Sequence, residues 1–340
     1  MQTPEIHPRI AAVVVTYNRR ALLEGCLNAL IRQDRPPDEI LVIDNASTDG
    51  TGEMLKEKYD GKITHVRMEE NLGGSAGFYE GIRLAYEKGY DWIWSMDDDV
   101  EPAGDALRAL ADSPAFNDPS VGLLASLVLD ARLPNQNSSF QQFCGVLAAC
   151  PDSDGWLPVA RGHYKQFDSI MNFRLVADKD SLGSPLIPIE AAGFLGVMVR
   201  SDAVRSVGLP MKELLIFWDD GEYIYRISRR FKVFLVPSSK VLHRQYCVPP
   251  RRLKFLGYEK KGGGIPTAQA WRVYYYFRNE IFVRQKYAKP WLAPLVPVLV
   301  LTKAVIAAFL IYDHPFSRCK ILLQAGIDGV LGRLGRRVNP

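Results

Sequence analysis

Three adjacent carboxylates, Asp97, Asp98 and Asp99, close the apolar run Trp92-Ile93-Trp94-Ser95-Met96. Like charges at consecutive positions repel one another, and a strand end gains nothing by collecting them. A divalent cation removes the conflict, because hard ions such as Mg2+ and Mn2+ prefer oxygen ligands. The competing reading is a solvated acidic turn. A second carboxylate pair, Asp219-Asp220, stands just before a helix-like stretch. One of its members could take a proton from an attacking hydroxyl, whose own pKa lies far above neutrality. The same pair could instead cap a helix, where the dipole favours negative charge.

The elements that must hold these groups are legible in the hydrophobic pattern. Ile10–Thr16 is a continuous β-branched run, as in a strand buried on both faces. The spacing of Leu22, Leu23, Cys26, Leu27 and Leu30 predicts a helix over 20–32, stopped by Pro36-Pro37. Strands are expected at 39–43, 63–68 and 91–96. A helix capped by Thr48 or Asp49 should run to Tyr59, and a glycine-rich loop, Asn71–Gly77, should open another ending near Gly89. Strands alternating with helices at this spacing give a parallel sheet with crossovers. Further on, the pattern predicts helices at 101–112, 201–207 and 221–230, and strands at 121–129, 140–149, 187–199 and 233–236. Residues 151–184 read as a long loop, and 248–264 as a flexible connection. Loops after the first, second and fourth strands carry Thr16-Tyr17-Asn18-Arg19, Asp44 to Asp49, and the acidic triplet. In open α/β sheets ligands sit outside those carboxyl ends, so the polar residues share one rim.

Composition narrows the class. With 340 residues, 47% hydrophobic and 24% charged, the chain has ample core. Its five scattered cysteines give no metal or disulfide framework and fit a reducing compartment. No basic segment followed by an apolar one marks the N-terminus as a secretory signal. The net charge of +4 is uneven. From Arg244 to Pro340 there are 17 Lys+Arg against 4 Asp+Glu, and before that point 25 against 34. An aromatic, apolar and basic tail suits an anionic membrane surface better than nucleic acid. Within it, 268–287 reads as a helix. The stretch 291–312 carries a single charge, Lys303; its prolines and that lysine favour an interfacial or partner-packed helix over a span. There is no G-x-x-x-x-G-K-[ST], and Asn71–Gly77 does not give G-x-G-x-x-G.

VVVTYNR, IDNASTDGT, NLGGSAGF and SMDDDV, in this order, resemble the inverting family-2 glycosyltransferases of the GT-A fold. FWDDGEY at 217–223 is similar to the acidic motif that supplies their catalytic base. The doubled glycine of NLGG and the WDD-x-EY form look most like bacterial galactofuranosyltransferases, with rhamnosyltransferases as rivals. The resemblance covers about residues 9–245. It implies an α/β fold: a Rossmann-like, mostly parallel sheet flanked by helices over residues 1–245. Residues 246–340 would form a helical extension for membrane or acceptor association, or for homo-oligomerisation.

Carried over by position, the resemblance places Thr16, Asn18, Arg19, Asp44, Asn71, Gly73, Gly74, Asp97 and Asp98 on the nucleotide-sugar donor. Asp44 would accept the uracil N3–H. Asp97, Asp99 and His243 would hold Mn2+ or Mg2+, imidazole favouring Mn2+; a lone His after a strand is otherwise structural. Asp220 would be the base, with Asp219 orienting it or binding acceptor. Trp218, Glu222, Gly193 and Phe194 would face the acceptor, the indole offering an apolar face to a sugar. Tyr274-Tyr275-Tyr276-Phe277-Arg278-Asn279 resembles a segment that follows the catalytic domain in membrane-associated members; the bland alternative is an amphipathic core helix. The implied activity is transfer of a sugar, galactofuranose from UDP-galactofuranose first and rhamnose from dTDP-rhamnose second. The implied acceptor is a glycan or polyprenyl-linked glycan at the cytoplasmic face of the plasma membrane. A nucleotidyltransferase would show a glycine-bearing phosphate loop after the first strand, and Thr16–Arg20 has none. The non-enzymatic rival is an inactive scaffold of the same fold.

Overall fold

Ile10–Thr16 forms β1, and every residue of it is buried, as a strand covered on both faces requires. The structure is a computed structural model that describes residues 7–130, 165–169, 172–175, 183–244, 251–255, 258–262, 270–310 and 315–339. In it β2 (Glu39–Asp44) and β4 (Trp92–Asp97) flank β1 in parallel, and β3 (Thr64–Arg67) pairs parallel to β2. Helices α1 (Arg20–Ile31), α2 (Thr51–Tyr59) and α3 (Gly74–Glu87) make the crossovers. Pairing brings Thr16 opposite Asp44 and Val15 opposite Asp97. The three loops therefore open on one rim. Gly77 and Gly81, one turn apart on α3, let that helix lie against β1, since a Cβ at either would collide with Val15 or Val13.

Beyond β4 the sheet becomes mixed. The strands β5 (Val100–Pro102), β6 (Val121–Asp130), β9 (Ile187–Pro188), β10 (Leu195–Arg200) and β11 (Lys232–His243) complete nine, in the order β3-β2-β1-β4-β10-β6-β11-β5 with β9 beside β11. β10 is antiparallel to both β4 and β6, and β11 is parallel to β6 and antiparallel to β5. This sheet and helices α4 (Ala106–Ala111), α5 (Ser201–Val207) and α6 (Asp219–Ser228) surround the main core.

Several expectations are corrected here. The helix expected at 101–112 shrinks to α4, because Val100–Pro102 pairs with β11 at the sheet edge, where proline is tolerated. The strand expected at 187–199 is two strands, β9 and β10, separated by residues 189–194. The strand expected at 233–236 continues to His243 through a register shift between Val236 and Lys240. Neither Thr48 nor Asp49 caps α2. Its N-cap is Gly50, at φ 82°, while Asp49 accepts hydrogen bonds from the Thr51 N–H and hydroxyl. The strand expected at 140–149 lies outside the described residues. So does most of the 151–184 loop, whose described parts include β7 (Lys165–Ser169) and β8 (Asn172–Leu175). The connection 248–264 contains an antiparallel hairpin, β12 (Arg251–Phe255) with β13 (Tyr258–Gly262).

The chain groups into two units. The first comprises Met1–Gln166, Arg174–Met211 and Asp220–Tyr246; the second comprises Phe167–Phe173, Lys212–Asp219 and Cys247–Pro340. The second unit is built on α7 (Ala270–Tyr287), α8 (Leu295–Leu310) and α9 (Pro315–Val330). Its core gathers Tyr274, Tyr275 and Ala325 with Leu215, and separately Val273, Ala304, Ala308 and Leu322. The Tyr274 hydroxyl donates to Asp328 at 2.7 Å. Among the described residues no helix is long and apolar enough to cross a membrane. At ~1.5 Å per residue, the 16 residues of α8 fall short of a hydrocarbon core of ~30 Å.

Candidate active site

The acidic loop is buried and tightly partnered on one side. Asp98 and Asp99 are 2% and 3% exposed. The Thr16 hydroxyl donates to Asp98 at 2.7 Å. Arg19 bridges the pair, its Nη1 donating to Asp98 Oδ1 at 3.2 Å and to Asp99 Oδ2 at 3.1 Å. Burial pushes the Asp98 carboxyl up to about 6, against the pull of Arg19 and the Thr16 hydroxyl. Beneath the loop the Cys26 thiol is fully buried, and burial together with the nearby carboxylates raises it well above its ordinary range. It is inert packing.

On the other side Asp99 Oδ1 receives no hydrogen bond, although it is buried. It faces Nε2 of His243 at 3.2 Å. β11 ends at His243, which pairs with Val100, and the next residue, Arg244, donates its N–H to the Asp99 carbonyl at 2.8 Å. The Arg244 guanidinium grips Glu101 with two hydrogen bonds, 2.8 and 2.7 Å long. An orphaned carboxylate oxygen opposite an imidazole nitrogen is a donor set that suits a divalent cation, and the nitrogen inclines it toward Mn2+. Of the three expected ligands, Asp99 and His243 stand side by side. Among the described residues no three His, Cys, Asp or Glu side chains converge as a metal site; Arg19 holds Asp98 and the second Asp99 oxygen. A pair is enough for an ion that takes its remaining ligands from substrate phosphates and water.

The second-strand loop is organised around Asp44, which is fully buried. It accepts the Ser47 N–H at 2.8 Å and Arg67 Nη1 at 2.8 Å, with His65 Nε2 at 3.5 Å. Burial alone would raise its pKa, but His65, Ser47 and Arg67 outweigh that and hold the carboxyl down to about 2. Each Asp44 oxygen thus already accepts a hydrogen bond as the loop stands. Here Asp44 anchors the loop, and Arg67 would have to swing away before a base N–H could reach it. Asn18, at φ 51°, accepts the Thr48 N–H at 2.6 Å and joins the first loop to the second. Asn71 accepts the Gly73 N–H at 2.9 Å, and Gly73 turns at φ 86° to start α3. A Cβ on Gly74 would meet nothing within 4 Å, so that face of the loop is open.

The downstream motif lies at the start of α6. Asp220, half-buried, accepts the Gly221 N–H at 2.6 Å, while Asp219 is buried and Trp218 half-buried. Glu222, expected on the acceptor, is fully buried with both oxygens on Arg226, at 3.1 and 3.0 Å. Gly193 and Phe194, expected beside it, are buried as well. Phe194 stacks on Phe78 at 4.2 Å, its ring lies 6.3 Å from Tyr223 of α6, and its carbonyl accepts the Asp97 N–H at 3.1 Å. Phe194 thus links α6 to the base of the acidic loop. Burial raises the Tyr223 hydroxyl far above its usual range.

Residues 11–125 match the family "Glycosyl transferase family 2". This stretch is a family 2 glycosyl transferase domain. The galactofuranosyltransferase GlfT1 of Mycolicibacterium smegmatis is 31% identical over 221 residues, a match covering 65% of this chain and 65% of that protein. The abequosyltransferase RfbV of Salmonella typhimurium is 38% identical over 106 residues, 30% of this chain and 31% of its own. Among solved structures, GalNAc-T7 with UDP, GalNAc and Mn2+ superposes with a TM-score of 0.56 at 17% identity, covering 94% of this chain and 55% of that one. The mannosyltransferase PcManGT of Pyrobaculum calidifontis with GDP-Man and Mn2+ gives 0.51 at 18% identity, covering 97% and 89%. The fold is the GT-A arrangement expected from the sequence.

Within the glycosyl transferase domain, sequence reasoning missed Asn45, Ser47 and Arg67. Asn45 donates to the Gly73 carbonyl at 2.8 Å and accepts the Leu72 N–H at 3.1 Å, tying the second-strand loop to the loop before α3. Its place directly after Asp44, at a strand end, was the available signal. Arg67 closes β3 opposite Asp44, a position visible once the strand register is known.

Proposed function

We propose that the chain is an inverting, metal-dependent glycosyltransferase that moves a hexose from a nucleotide-sugar to a glycan or polyprenyl-linked glycan. The observation that carries this reading is the orphaned Asp99 oxygen facing His243 at 3.2 Å, on the rim where an α/β sheet binds its ligand. Asp99 and His243 would hold Mn2+, or Mg2+ in its place, with Asp97 and Asp98 beside the donor. When bound, the ion supplies Lewis-acid stabilisation of the negative charge that develops on the departing diphosphate. Arg19, 45% exposed and poised on the same carboxylates, can turn its guanidinium to a phosphate, the bidentate partner it suits best. Thr16 keeps Asp98 oriented. Asn18, Asn71, Gly73 and Gly74 shape the loops around the nucleotide sugar.

Asp220 takes the acceptor hydroxyl proton as the new bond forms, and a single base opposite the leaving group gives inversion. Asp219 orients the turn, and Trp218 gives the acceptor sugar an apolar face. The galactofuranosyltransferase relatives favour UDP-galactofuranose as donor; dTDP-rhamnose is the second reading. Exposed Trp291, Leu295, Val298, Ile306, Phe309 and Phe316 of the second unit, among many lysines and arginines, support peripheral attachment at the cytoplasmic face of the plasma membrane.

A panel of sugar nucleotides screened for Mn2+-dependent thermal protection tests the donor. Ligand linkage raises the melting point for the true donor and its nucleotide product. UDP-galactofuranose and UDP should protect, and both should fail in chelator. Protection by dTDP-rhamnose alone selects the second reading, and protection by no sugar nucleotide rejects the enzyme.

A further inference from the structure

α7 carries two fully buried polar side chains, Arg278 and Asn279, that no step above uses. Nδ2 of Asn279 donates to three carbonyl oxygens of one short loop: those of Leu214, Ile216 and Phe217, each at 2.9 Å. Two hydrogens serve three acceptors, so at least one is shared. Arg278 Nε donates to Asn279 Oδ1 at 2.8 Å, which fixes the amide with its NH2 toward the loop. Its guanidinium also reaches the carbonyls of Leu214 at 3.1 Å and Gly335 at 2.6 Å.

The loop so held is one that a chain avoids. Leu215, Phe217 and Trp218 stand at φ 68°, 64° and 67°, the left-handed region disfavoured for bulky side chains. Such strain persists only where the surroundings over-determine it. Arg272 and Tyr276 share a face of α7 with Asn279, being spaced at i, i+4 and i+7. The Arg272 guanidinium covers the Phe217 ring at 5.4 Å, Tyr276 meets the Phe217 and Trp218 rings edge-on at 5.8 and 6.4 Å, and Arg284 covers Trp218 at 5.4 Å. The loop ends at Trp218, and Asp219 and Asp220 follow it without a break. Buried as they are, Arg278 and Asn279 are not membrane contacts.

We propose that Asn279, locked by Arg278, is a positioning residue for the Trp218-Asp219-Asp220 turn. Acting through the backbone of 214–217, it fixes the left-handed run that ends at Trp218, to which the Asp219-Asp220 turn is joined in sequence. The proposal rests on the reading of Asp220 as the base.

Two measurements on the full-length protein test it, each made on Asn279→Ala and Asn279→Asp. In hydrogen exchange followed by mass spectrometry, peptides spanning 212–222 should lose protection while those of β1 to β4 keep theirs. In turnover of UDP-galactofuranose with Mn2+ and water or an alkyl galactofuranoside as acceptor, kcat should fall at least about 10-fold with donor KM within about twofold. In an Asp220→Asn background the same substitutions should change the residual rate by less than about twofold, because residues acting as a unit are not additive. Unchanged exchange at 212–222, or an equal loss of kcat in both backgrounds, overturns the proposal. So does failure of both variants to fold, which would make Asn279 a residue of stability alone. An active Asp220→Asn enzyme is a different failure, of the base assignment. If UDP-galactofuranose is not turned over, the donor reading fails, and hydrogen exchange alone decides for or against Asn279.

Discussion

Nε2 of His243, the last residue of β11, lies 3.2 Å from Oδ1 of Asp99, the carboxylate that closes the fourth-strand loop. The two are brought together by sheet pairing, since His243 stands opposite Val100 in the β5–β11 ladder. His243→Ala should therefore cost turnover in a manner that added metal partly restores. Loss of one ligand is expected to raise the Mn2+ concentration for half-maximal rate by about 10-fold or more. Asp99→Ala should abolish transfer at any Mn2+ concentration. Initial rates across a Mn2+ titration distinguish the two.

Arg19 neutralises Asp98 and Asp99 in the absence of an ion. Arg19→Gln should lower the melting temperature in chelator, by roughly the 1–2 °C that ~1 kcal/mol gives in a chain of this size. Mn2+ should recover most of that loss, because the cation supplies the missing positive charge. Differential scanning with and without Mn2+ reads the outcome, and a deficit equal in both conditions would contradict it.

The elements were legible where burial is simple. β1, α1, β2 and β4 sit within a residue or so of their sequence-based bounds, because runs such as Ile10–Thr16 are buried throughout. The acidic loop was singled out by its chemistry, and His243 by its place in motifs that resemble a known family. The contact of Glu222 with Arg226 was not read. Its ion pair with Arg226 is an i,i+4 contact on one helix face, a spacing present in the sequence but outweighed by motif position. The Asn279 contacts to 214–217 join segments some 60 residues apart with no periodic signal, so only the folded chain reveals them.

Asp44 gives the pH dependence. Its folded pKa of about 2 is below the ordinary carboxylate value of ~3.9, so the stabilisation is complete above ~4 and is lost as pH falls toward 2. Asp44→Asn should be less stable than wild type at pH 7 and should lack the part of the acid limb between about pH 4 and 2. Urea midpoints across this range check it; parallel pH profiles would contradict the assignment.

Gly81 lets α3 lie on β1, with Val13 and Ile43 where its Cβ would go. Gly81→Ala should overpack that contact and cost about 1–3 kcal/mol of unfolding free energy. It should also weaken donor binding, since α3 carries the Gly73 turn. Urea unfolding of the variant measures the first effect directly.

Anomalous diffraction from crystals soaked with MnCl2 and UDP tests the central claim most directly. The account expects a manganese peak held by Asp99 and His243 beside the bound diphosphate. UDP bound on this rim with no manganese between Asp99, His243 and its phosphates would contradict it.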